Sequence, residues 1–345
     1  MSQDTDRAML LVVHTGRPDA VHTGRIVAGR LRTAGVTVRT LQSEADDLRL
    51  PDATVLPASQ RAAEGAEMVL VFGGDGTLLR AAELARPAGT PLLGVNLGHV
   101  GFLAETEPDV LVDAVDHVLA GTYCVERRMT IDVTVRQNGS VTATTWALNE
   151  ATVEKAARER MLDLVTEVDG RPLSRWGCDG VVFATPTGST AYAFSAGGPV
   201  VWPDVEALLL VPISAHALFA GPMVVSPESV LAAEVIGATG SQGEVSGAVL
   251  WCDGRRTVDL PPGARVEVRR GAQPVLLARL RGIAGPDGAG PDGAGHGGPG
   301  ADIGASFTDR LVAKFGLPVA GWRGRGEARQ DAAARVRDEE PAGDA

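Results

Sequence analysis

Short, uninterrupted apolar runs alternate with segments of helical spacing through the first third of the chain. Residues 9–13, 68–72 and 91–95 are continuously apolar, and 36–41 alternates. Between and after them, 19–32 repeats its apolar residues at helical spacing and 108–119 makes a further amphipathic helix. Strands that are apolar throughout are covered on both faces, so this order predicts an α/β domain with a parallel sheet over residues 1–125, its working loops at strand C-termini. Beyond Glu126 the texture changes to β-branched alternation, as in 130–136, 141–146 and 161–168, with Asp169-Gly170 as a hairpin signal. A β-rich, sandwich-like C-terminal domain is therefore expected over 126–281.

The pattern then stops. Residues 282–305 are dominated by Gly, Ala, Pro and Asp and hold Pro-Asp-Gly-Ala-Gly twice in succession, at 286–290 and 291–295. Such a stretch cannot bury enough apolar area to offset its ordering entropy, which predicts a disordered insert. Its chance match to Gly-x-Gly-x-x-Gly at 288–293 has no strand before it and a proline inside it, and carries no dinucleotide site. Order is expected to resume over 306–322, with Phe307, Leu311 and Phe315 on one helical face, before a loose charged tail at 323–345.

Composition narrows the function. With 345 residues, 44% of them hydrophobic, the chain can bury cores for two domains. A formal charge of −11 argues against a nucleic-acid groove, which needs clustered cations. Three widely spaced cysteines, Cys124, Cys178 and Cys252, indicate neither a disulfide framework nor a zinc site, so a cytoplasmic setting is expected. The uncharged stretch 207–227 is long enough to cross a bilayer, but Pro212, His216, Gly221 and Pro222 interrupt it; it reads as buried strands, and no membrane partner is expected.

Four constellations carry the chemistry. Gly73-Gly74-Asp75-Gly76-Thr77 follows the apolar run 68–72 and opens a helical segment, setting a carboxylate in a glycine turn where backbone N–H groups can receive phosphates. Asn96-Leu97-Gly98-His99-Val100-Gly101-Phe102-Leu103 follows the run 91–95 and places an amide and two glycines at a second strand end. Leu148-Asn149-Glu150 offers an amide and a carboxyl able to read ligand hydroxyls or help to hold a metal. The richest is Cys178-Asp179-Gly180, an apolar strand, and then a hydroxyl- and glycine-rich segment from Thr185 to Pro199 with Tyr192 at its centre and no charged side chain between Asp179 and Asp204. That segment reads either as a neutral cradle for a polar ligand or as a Ser/Thr-rich turn between buried strands. Without a Gly-Lys dipeptide there is no P-loop of the Walker type, and the Asp-Phe-Gly and His-Arg-Asp elements of protein kinases are missing too.

In this order the four motifs resemble the NAD kinase family, over residues 9–281 and again at 307–322, where Phe-Thr-Asp-Arg-Leu and Gly-Trp-Arg look like the C-terminal stretch of actinobacterial-type members. The resemblance implies an N-terminal α/β domain, a sandwich-like C-terminal domain, a homo-oligomer (dimer or tetramer), and ATP-dependent phosphorylation of the adenosine ribose 2′-hydroxyl of NAD with a divalent cation, Mg²⁺. It makes Asp75 the catalytic carboxylate that takes the hydroxyl proton and Gly76 part of the phosphate-binding turn. Asn149 and Glu150 match the dinucleotide-binding pair, and Asp179 the acid of the Asp-Gly turn. Thr190, Ala191, Tyr192, Ala193, Phe194 and Ser195 match the loop around adenine and ribose; Arg80 and Arg160 fall where the family varies but often contacts ligand. Gly177 stands where some members carry Arg, which leaves preference between NAD and NADH open, as it leaves polyphosphate against ATP. Gly-Gly-Asp-Gly also resembles diacylglycerol, sphingosine and, more distantly, phosphofructokinases. A non-catalytic dinucleotide sensor is the third alternative.

Overall fold

The computed structural model describes residues 7–95, 101–103, 111–156, 161–239, 245–280 and 307–317. The expectations placed on Asn96–Val100 with His99, on Arg160, on the insert at 282–305 and on the tail lie outside the described residues.

Seven strands form the first sheet, in the order Thr54–Leu56, Thr37–Leu41, Ala8–Val13, Met68–Phe72, Leu92–Val95, Val275–Leu280 and Tyr123–Arg128. The first five are mutually parallel. Met9, Leu11 and Val13 face one core with the helices Pro18–Thr33 and Leu111–Leu119, while Leu10 and Val12 face a second core with the helix Asp75–Ala85. Cover on both faces is why every residue of Met68–Phe72 is buried and why the run carries no polar alternation.

Two antiparallel sheets make the second body. One runs Arg171–Cys178, Leu162–Val168, Leu231–Thr239, Arg265–Arg270, Ile131–Gln137, Ser140–Ala147; the other Met223–Val225, Leu208–Ile213, Gly180–Ala184, Glu150–Lys155, Ala248–Cys252, Arg256–Leu260. Their inner faces share one core, with Ile131, Val133, Leu164 and Trp176 from the first sheet against Val153, Phe183, Leu210 and Leu250 from the second. This is the sandwich expected from the alternation. Asp169 and Gly170, at φ of 52° and 72°, close the expected hairpin in the left-handed conformation that two-residue turns require.

The boundary between the bodies differs from the expected one. Residue 125/126 falls inside the strand Tyr123–Arg128, and Val275–Leu280, expected in the β-rich domain, returns to the first sheet. There it pairs in parallel with Leu92–Val95 and antiparallel with Tyr123–Arg128. Periodicity reports how a strand is covered but not which sheet it joins, and partners about 150 residues apart leave no local signal. On the outer face of the second sandwich sheet, Val182, Ala184, Leu209 and Val211 are covered by Ala193, which seats the segment after the strand Gly180–Ala184.

Candidate active site

At the end of Met68–Phe72 the chain turns through Gly73, whose φ of 155° only glycine adopts readily, and an added Cβ there would sit 2.4 Å from Thr77 Oγ1. Gly74 caps the helix Asp75–Ala85, so the half-buried Asp75 opens the first turn at the positive end of the helix dipole. The turn 101–103 closes on it. Phe102 N–H donates to Asp75 Oδ2 and Leu103 N–H to Oδ1, both at 3.2 Å. Gly101 sits as close from the other side: a Cβ there would lie 2.4 Å from Asp75 Oδ1, so the carboxylate or the turn would have to shift.

Five residues along the same helix, Arg80 Nη2 donates to Val13 O at 2.9 Å and to Glu44 Oε1 at 2.5 Å, while Val13 N–H donates to Glu44 Oε2 at 2.8 Å. Burial pushes the Glu44 carboxyl up, and the Arg80 guanidinium pulls it back. Arg80 thus borders a cavity of about 500 Å³, with His14, Arg17, Gly74, Thr77 and Arg255 among its other walls. Arg17, Arg80 and Arg255 bring three guanidiniums to this cavity, which suits an anion. The sequence reading missed His14, Arg17 and Arg255; His14-Thr15-Gly16-Arg17 at the end of the first strand was the available signal for two of them.

The second half of the site is built differently. Asn149 and Glu150 are buried, and Asn149 Oδ1 and Glu150 Oε2 have no hydrogen-bond partner. Their backbone is gripped by Asp253, which accepts from Leu148 N–H at 3.1 Å and Asn149 N–H at 2.7 Å and is paired with Arg256 at 2.7 Å. Burial, reinforced by the nearby Asp253 charge, pushes the Glu150 carboxyl up to about 8, against a hydrogen bond from the Tyr192 backbone. Asp253 was missed: Asp253-Gly254 reads locally as one more hairpin turn.

The hydroxyl-rich segment mainly holds itself. Thr185 Oγ1 donates to Leu148 O at 2.6 Å, Ser189 Oγ to Val201 O at 3.1 Å, and Thr190 Oγ1 to Thr187 O at 3.4 Å. A Cβ at Gly188 would fall 2.0 Å from Asn149 O, so the turn lies directly on that backbone. Of the two readings of this segment, the hydroxyl protons of Thr185, Ser189 and Thr190 favour the self-bonded turn, each being donated to a backbone carbonyl. Ala193 is wholly buried, Ala191 is partly covered, and Ser195 is exposed. Phe194 packs against Phe315 at 4.8 Å between ring centroids. Tyr192 stays 38% exposed, and its hydroxyl is pushed up by burial and by Glu154, Asp179 and Glu150, which places it among those carboxyls. Asp179 is held low by Lys155, whose Nζ lies 2.5 Å from Oδ1, helped by Ser214 and His216. The structure therefore gathers Asn149, Glu150, Asp179 and Tyr192, and adds Lys155.

A chain of ion pairs joins the two halves. Glu83, on the helix begun by Asp75, receives Arg255 at 2.9 Å and Arg256 at 3.5 Å, and Arg256 leads to Asp253.

A family model described as the ATP-NAD kinase N-terminal domain matches residues 9–123, and one described as the ATP-NAD kinase C-terminal domain matches 148–280. The "NAD kinase 2" of Streptomyces coelicolor is 57% identical over 326 residues, 94% of this chain and 99% of that protein. The NAD kinase of Thermobifida fusca is 57% identical over 336 residues, covering 95% and 94%. That of Nocardia farcinica is 49% identical over 353 residues, covering 98% and 100%. Among solved structures, yeast NADH kinase complexed with NADH superposes with a TM-score of 0.71 over 80% of this chain and 84% of that one, at 23% identity, a likeness of fold. An NAD kinase from Archaeoglobus fulgidus in complex with ATP gives a TM-score of 0.58 at 29% identity, over 79% and 92%.

Proposed function

The chain belongs to the NAD kinase family, and from that membership we propose how its residues divide the work of the reaction. It is an enzyme that phosphorylates the adenosine ribose 2′-hydroxyl of NAD, with ATP as donor, to give NADP. The lipid-kinase and sensor alternatives have no support in these relationships. Asp75 is the general base: two N–H groups fix its oxygens and leave lone pairs for the hydroxyl proton. A ribose hydroxyl is a poor nucleophile at neutral pH, and phosphoryl transfer depends mainly on alignment and charge neutralisation. Gly76, exposed in the first helical turn, lets donor phosphates approach the backbone, and Arg17, Arg80 and Arg255 with His14 neutralise them.

The observation that carries the assignment of the dinucleotide side is the pair of buried, unpartnered oxygens on Asn149 and Glu150. Leaving such atoms unpaired is costly, and ligand hydroxyls or amides satisfy both. A neutral Glu150 carboxyl can donate as well as accept. Tyr192, with Thr190, Ala191, Phe194 and Ser195 around it, lines the adenosine side, with Asp179 on a ribose hydroxyl, while Ala193 seats the segment on the sheet. Asn149→Ala should weaken NAD binding in calorimetry by roughly 5- to 150-fold, as loss of about 1–3 kcal/mol implies. An unchanged dissociation constant would remove Asn149 from the site.

Among the described residues no group of three or more His, Cys, Asp or Glu side chains is placed to hold a metal. That donor set does not make a protein cage. A divalent cation such as Mg²⁺ is proposed to arrive on the phosphates of ATP, as this ion commonly does, where it would neutralise charge. We also read the enzyme as a cytoplasmic homo-oligomer; its three widely spaced cysteines fit a reducing compartment. Among the described residues no helix is long and apolar enough to cross a membrane.

A further inference from the structure

The helix Phe307–Phe315 lies beyond both matched family segments, yet it touches both halves of the site. Phe307 and Phe315 stand against the ring of Phe102, with centroids 5.8 and 6.1 Å away. The same two rings continue to Trp202 at 5.1 Å and to Phe194 at 4.8 Å. The middle of this aromatic row is therefore the turn that grips Asp75, and one of its ends, Phe194, is in the segment that carries Tyr192.

Within the row sits a buried guanidinium. Arg310 is 7% exposed, and its Nη1–H donates to Phe102 O at 3.0 Å. That carbonyl shares a planar peptide unit with the N–H of Leu103, which donates to Asp75 Oδ1 at 3.2 Å. A cation on the carbonyl polarises the unit, strengthens its N–H as a donor, and fixes the plane in which that N–H points. Burial lowers the proton affinity of Arg310, opposed by the charges of Glu126, Asp75 and Asp309. Burying a guanidinium is costly, and a leucine or methionine would serve packing alone.

We infer that Arg310 is a positioning residue for phosphoryl transfer: through the Phe102–Leu103 peptide it sets the orientation of the Asp75 carboxylate, and so makes the catalytic geometry depend on the C-terminal helix. The inference rests on Asp75 being the base.

The test is steady-state kinetics of Arg310→Gln and Arg310→Lys in the full chain, with hydrogen–deuterium exchange over 101–103 and Asp75→Asn as a parallel. Arg310→Gln should lower kcat on the order of 10-fold or more, since small misplacements of catalytic groups cost 10- to 100-fold. KM for NAD should change less than about twofold, because the dinucleotide-binding residues are untouched, while exchange at 101–103 quickens. Arg310→Lys, which keeps charge and a donor, should return kcat to within about threefold of the parent. If Arg310→Gln does not accumulate folded, Phe307→Leu, which touches Phe102 but not Phe194, loosens the same turn without stranding a charge and should show the same split. Parental kcat in the glutamine variant, or a fall in kcat, NAD affinity and melting temperature together that lysine does not rescue, overturns the inference. Asp75→Asn separates the two readings: if it is inactive while Arg310→Gln is fully active, the role of Arg310 alone fails, and if it is active, the base assignment fails and this inference with it.

Discussion

Asp75 and Glu150 are both carboxylic acids at the start of a regular element, one of a helix and the other of a strand, and the protein surrounds them in opposite ways. Asp75 is half-buried and receives an N–H on each oxygen from a turn that glycine at 101 lets pack close against it. Glu150 is buried beside a second acid, keeps one oxygen without a partner, and holds its proton up to about 8. A group whose orientation is fixed in advance suits a reaction step. A group left unsatisfied suits recognition, because the ligand itself supplies what is missing. On the proposed reading catalysis falls to one body of the fold and dinucleotide recognition to the other, so a variant in one should spare the other.

The largest effect should come from the catalytic half. Asp75→Asn keeps the shape and the accepting oxygen but cannot take a proton, so turnover should fall at least ~100-fold while NAD affinity holds; near-parental turnover would remove the base role. Gly101→Ala sharpens the comparison, because it leaves the carboxylate in place and alters only its seat. With a Cβ only 2.4 Å from Oδ1, something must shift. Turnover should drop on the order of 10- to 100-fold with little change in NAD affinity, and a variant with unchanged kcat would show that the close turn has no catalytic part.

The smallest effect tests the other carboxyl through stability. Folded Glu150 keeps its proton up to about 8, whereas its ordinary value is 4.5, so the folded state binds more protons between those limits. Its contribution to stability is therefore fullest below 4.5 and declines as pH rises toward 8, by at most about 1.4 kcal/mol per pH unit. Glu150→Gln should remove its share of that decline in denaturant melts of the ligand-free enzyme, leaving the slope due to Asp253, which burial also raises. Parallel pH profiles for parent and variant would show that Glu150 is not held protonated.

What could be read from residues alone follows the range of the interaction. Gly73 to Thr77 announced a strand-to-helix turn with its acid inside, because each requirement there is met within five residues. The alternation after residue 130 announced the sandwich, and Asp169-Gly170 its hairpin, for the same reason. Asp253 lies 104 residues from the N–H of Asn149 that it accepts, and Arg310 lies 208 from Phe102. Nothing near either residue signals its partner. The segment 185–190 stayed open for another reason: its side chains were visible as hydroxyls, but whether a hydroxyl bonds a ligand or its own backbone is decided by the folded turn.

The return of Val275–Leu280 into the first sheet has a consequence for biosynthesis. Until that strand leaves the ribosome, Leu92–Val95 has an open edge and Tyr123–Arg128 lacks its neighbour, although the parallel strands before them are already made. The sandwich is in effect a long excursion inside the α/β sheet, and such distant pairing is slow and exposes apolar edges while it waits. A nascent chain of the first 125 residues should therefore be sticky rather than half-functional, and chaperone capture during translation should end only when the strand at 275–280 closes the sheet.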